Sequence, residues 1–81
     1  MPQQDTTEIK KRIILTFRQR GPSLPVHIAN ATGLSMLFSS AFLSELVSEK
    51  ELRISNMKVG NSPIYYIPGQ EPILEKFSMH L

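Results

Sequence analysis

Seven residues, Ala29-Asn30-Ala31-Thr32-Gly33-Leu34-Ser35, constrain this chain more than any others. Before them, Pro25 suits a first helical position, because its ring presets φ and it has no N–H to leave unpaired. A short helix over 25–32 follows. Gly33 ends it, where a left-handed backbone is cheap without a Cβ. Ser35 is a good N-cap, and 35–49 then carries apolar residues at helical spacing. Two helices joined this tightly must turn sharply. They pack close only if a small residue such as Ala29 sits where they cross.

The flanking segments complete an α+β order. Asp5 and Glu8 read as a variant capping box opening a first helix over 6–20, with Ile9, Ile13, Ile14 and Phe17 at helical spacing. Gly21-Pro22 stops it, and Ser23-Leu24 reads as a very short strand, because a residue before proline avoids the helical region. After Lys50-Glu51 the period changes. Leu52-Arg53-Ile54-Ser55 alternates, Gly60-Asn61-Ser62 supplies a turn, and Pro63 to Pro68 is rich in β-formers, giving a hairpin over 52–68. A last helix is expected over 72–81, with Ile73, Leu74 and Phe77 on its apolar side. It reaches Leu81 without a cap, which reads as a cut from a longer protein.

The whole, 1–81, is short enough to be one domain with a small core. Without cysteine it has neither disulfides nor thiolate metal sites. No apolar run approaches the ~18 residues of a membrane span, and the first residues lack a secretion signal. A cytoplasmic location is the expectation. The serines have no adjacent base, His27 has no second ligand at metal spacing, and no glycine-rich phosphate loop follows a strand. Neither an enzyme role nor a cofactor is expected.

The net charge of +2 is too small to imply nucleic acid, but it is unevenly spread. Five of the nine basic groups lie within residues 1–20, and none lies between Gly21 and Glu49. The basic first helix is either a solvated face or a phosphate-contacting edge.

The order of elements, Gly21-Pro22, the run from Ala29 to Ser35, Leu43, Leu46, Leu52-Arg53-Ile54, and the return from Gly60 to Ile67 together resemble a winged helix-turn-helix domain of the archaeal transcription-regulator type. The resemblance covers roughly residues 8–68. It implies a three-helix core, a β-hairpin wing and a third helix presented to double-stranded DNA. One position departs from the pattern: Ser39 stands where an aliphatic residue usually faces the core. Its hydroxyl is expected to bond the carbonyl of Ser35.

Steps of about 100° around the third helix put Met36, Ser39, Phe42, Leu43, Leu46 and Val47 on the core side. Leu37, Ala41, Ser44 and Ser48 face outward, flanked by Ser40 and Phe38. The outward side has no Arg, Lys, Asn or Gln to read a base edge with paired hydrogen bonds. By the resemblance, DNA contacts fall to Arg20, Ser35, Leu37, Ser40, Ala41, Ser44, Lys50, Arg53, Lys58 and Asn61. Lys50 and Arg53 either grip phosphate or pair with Glu49 and Glu51. An alternative use is protein contact, as a homodimer or with another partner, through Leu37, Phe38 and Ala41, unless Phe38 tucks into the core.

Overall fold

The structure is a computed structural model. It describes residues 6–79, with side chains through residue 76. The expected cap Asp5, the side chain of Phe77 and the uncapped end at residues 80–81 lie outside the described residues.

Four helices and two strands follow in the order α1 (Thr6–Arg20), α2 (Pro25–Thr32), α3 (Met36–Ser48), β1 (Arg53–Val59), β2 (Ser62–Tyr66) and α4 (Glu71–Met79). This α+β arrangement is a winged helix. Ile9, Ile13 and Phe17 recur every four residues on α1, so they share one face. That face meets Ile28 of α2, Leu43 and Leu46 of α3, and Leu52, forming one buried cluster. Half-buried Phe42 and Val47 close its edge.

The chain bends by 112° between α2 and α3. Gly33 makes the bend at φ 76°, and its N–H donates to Ala29 O. Ser35 then caps α3 by accepting the Phe38 N–H at 3.2 Å. Ala29 is buried where the helices meet.

Two expectations about α3 are corrected. Ser39 is fully buried, but its Oγ has no hydrogen-bond partner among the described residues; only its backbone N–H reaches Ser35 O, at 2.9 Å. Thr32, by contrast, donates its buried hydroxyl to Ile28 O at 2.7 Å, the bond expected of Ser39. Met36 is 48% exposed rather than core, because the first turn of α3 projects past the packed body. Of the two alternatives for Phe38, flanking the outward stripe or tucking into the core, the first holds: it is 59% exposed.

The wing is an antiparallel pair closed by Gly60-Asn61, with Val59 opposite Ser62. Gly60 has φ 62°, the left-handed value that a two-residue turn of this kind needs at its first position. The pairing is not regular. Ser55, Asn56 and Met57 together oppose Ile64, a bulge between Ile54 and Lys58. Ser55 Oγ accepts the Met57 N–H at 2.7 Å, which satisfies a donor the ladder leaves open. On the other side of β2, Ser23 and Tyr65 exchange two backbone hydrogen bonds of 2.9 Å. The expected short strand at Ser23-Leu24 is thus an isolated bridge at Ser23.

Gln70 fixes α4. Its side-chain carbonyl accepts the Ile67 N–H at 3.2 Å, and its amide donates to Phe17 O at 2.8 Å. Leu74 is buried beneath the helix. No helix among the described residues is long and apolar enough to cross a membrane.

Candidate functional site

The outer face of α3 follows from helical geometry. Leu37, Ser40, Ala41 and Ser44 fall at spacings of three and four, so they form one stripe. All four are exposed, Leu37 at 77%. Met36 and Phe38 flank the stripe at its N-terminal end, making an apolar knob of three successive side chains. Ser35 is exposed beside them, its hydroxyl engaged in the cap.

At the other end, α3 closes in a left-handed turn. The Lys50 N–H donates to Val47 O at 3.0 Å, and the Glu51 N–H to Leu46 O at 2.9 Å. This pattern normally places glycine at the left-handed position. Here the residue is Lys50, at φ 65°, the only non-glycine with positive φ among the described residues. A side chain in that conformation costs roughly 1–2 kcal/mol, so the lysine is held against its backbone preference.

The turn delivers the chain into β1. Val47, Lys50, Leu52, Arg53, Ile54 and Tyr66 then line an open groove of about 590 Å³ between the end of α3 and the wing. Lys58 and Asn61 lie further out, exposed near the wing tip. Among the described residues, Lys50, Arg53 and Lys58 form no ion pair.

Of the two alternative partners of Lys50 and Arg53, Glu49 pairs with Lys10 and Glu51 lines a groove against α1. Glu45 and Glu49 both reach Lys10 of α1, at 2.9 and 2.7 Å. The hydrogen bond that Lys10 donates to Glu49, then the one it donates to Glu45, raises the Lys10 pKa above its ordinary value of 10.5. Glu51 lines a separate groove against α1, together with Lys11, Leu15 and Arg18. The basic face of α1 is therefore partly structural. Lys10 ties α1 to α3, and Arg12 donates to Thr32 O at 3.0 Å, holding the end of α2.

The sequence-derived residues are not all gathered together. Lys50 and Arg53 share the groove with Val47, which stands at the core-side edge of α3 near its C-terminal end. Arg20 ends α1 three residues before Ser23, on the side of β2 away from β1. Two groove features have no counterpart in the sequence analysis: Tyr66, which lines the groove, and the left-handed backbone of Lys50, for which a missing glycine after a helix is a usable signal.

No family model matches the chain, and no curated protein matches it. Solved structures do. The Zalpha domain from Carassius auratus PKZ, in complex with Z-DNA, is 26% identical with a TM-score of 0.69, over 75% of this chain and 94% of that one. The apo-Zalpha domain of zebrafish PKZ is 21% identical with a TM-score of 0.68, over 75% and 92%. Disulfide-formed AbfR is 18% identical with a TM-score of 0.66, over 89% of this chain and 53% of that one. All three share the arrangement of helices and wing.

Proposed function

We propose that this chain is a DNA-binding winged-helix module that holds double-stranded DNA mainly through its phosphates, and that it serves a transcription regulator. One observation carries the reading. A charge-free, exposed helix face runs into a set of unpaired cations, on a fold shared with a domain solved on Z-DNA. Lys50, Arg53 and Lys58 neutralise phosphates, with Arg20 reaching a neighbouring stretch of backbone. Asn61 offers the wing tip a hydrogen bond. Ser35, Leu37, Ser40, Ala41 and Ser44 supply shape, methyl and single hydrogen-bond contacts. Without a bidentate base reader, such a face responds to backbone form more than to base order. The left-handed duplex is therefore the first form to test. The regulatory role and the archaeal kinship rest on the sequence pattern alone.

The test is titration of labelled duplex DNA at two salt concentrations, with an alternating dC–dG duplex followed by circular dichroism. Binding that weakens steeply with salt is expected. No binding at low salt removes the reading.

A second reading has its own observation: Met36, Leu37 and Phe38 are 48, 77 and 59% exposed in succession. A patch of this kind suits a homodimer or protein partner. Sedimentation of the wild type and Leu37→Glu decides it. A monomer in both cases discards that reading.

A further inference from the structure

We infer that the groove between the end of α3 and the wing is a subsite for one unpaired nucleotide, with its phosphate between Lys50 and Arg53 and its base against Tyr66. The inference rests on the DNA reading above and specifies what that site prefers.

Four features point to it. First, the size fits. The groove of about 590 Å³ lies within the roughly 300–1,000 Å³ of small-ligand clefts. Second, the lining divides chemically. It joins two exposed cations, Lys50 and Arg53, to the side chains of Val47, Leu52, Ile54 and Tyr66. A nucleotide has the same division, an anionic phosphate beside a flat, largely apolar ring. Third, no acid lines this groove. Glu45 and Glu49 are engaged by Lys10, Glu51 lines the groove against α1, and Glu75 lines an adjoining groove on the other side of Ile54 and Tyr66. Fourth, Lys50 is retained in a left-handed conformation where glycine is easier. A strained residue at a cleft is a reason to look for a ligand.

The groove lies at the C-terminal end of α3. Leu37 to Val47 spans roughly 15 Å at 1.5 Å per residue. A duplex lying along the α3 stripe brings its backbone to the groove, and a base already out of the stack enters without the cost of unpairing. Stacking on an aromatic wall tolerates any base, which agrees with the lack of a base reader on α3.

The experiment measures affinities by anisotropy for an intact duplex, the same duplex with a single-nucleotide bulge, and a free deoxynucleoside monophosphate as competitor. About tenfold tighter binding of the bulged duplex is expected, the scale of one stacked base. That preference falls to none in Tyr66→Leu and persists in Tyr66→Phe. Should Tyr66→Leu fail to fold, Lys50→Gly relieves the backbone and still reduces the preference. Competition by the free nucleotide supports the same subsite, with a mononucleotide as the source. Equal affinity for the two duplexes with no competition overturns the subsite and leaves the DNA reading standing. Binding to none of the three overturns both.

Discussion

On the side of α3 facing the body, side chains are spoken for. Leu43 and Leu46 are buried, and Glu45 and Glu49 converge on Lys10. On the side facing away, Leu37, Ser40 and Ala41 are open to solvent, and the groove beyond the helix holds Lys50 and Arg53 with no acid in its lining. The two faces belong to one helix of 13 residues. A net charge of +2 conceals this division, since the balance is reached by neutralising one face and leaving the other uncompensated. Charge location, rather than charge total, is what distinguishes a binding surface on so small a domain.

The contrast breaks if the two faces respond alike to truncation. Leu43→Ala should cost about 2–5 kcal/mol, and Leu37→Ala no more than about 0.5 kcal/mol, in urea unfolding. Comparable losses would mean that Leu37 is covered in solution. Next in size is a binding effect. Arg53→Ala and Lys58→Ala should each weaken DNA binding and lower the log–log salt slope by about 1. Lys10→Met should leave that slope alone, because its ammonium is committed to Glu45 and Glu49. Smaller still, Lys50→Gly should raise stability by about 0.5–1 kcal/mol, relief of a left-handed side chain less the extra freedom glycine gives the unfolded chain. A loss of stability there would show that the lysine is not strained.

The smallest effect concerns pH. The Lys10 pKa is raised in the folded protein, so its stabilisation is complete below about 10.5 and is lost as the pH climbs through the higher folded value. Thermal unfolding of the wild type should therefore approach that of Lys10→Met at strongly alkaline pH. A difference that stays constant through that range would remove the pair from the stability of the α1–α3 seam.

Element order was legible because the chain is punctuated: Gly21, Gly33, Gly60 and the prolines mark the ends of periodic segments. The outward stripe of α3 followed from its period. Periodicity erred at Met36, since it says which way a residue points and not whether another element reaches it there. The wing bulge left no trace, because a serine hydroxyl rather than a glycine accommodates it. The partners of Glu45 and Glu49 were also hidden. Lys10 lies 39 residues before Glu49, and only the folded packing of α1 on α3 joins them. For the candidate site, residue type named the cations; tertiary structure decides which of them are left unpaired.

Gln70 has a mechanical consequence. Its amide joins the root of α4 to the carbonyl of Phe17, across 53 residues of sequence. A displacement of α4 is thereby felt at the last turn of α1 directly, without travelling through the wing. The helix is thus tied by one side chain to the element that carries Ile9, Ile13 and Phe17 of the core.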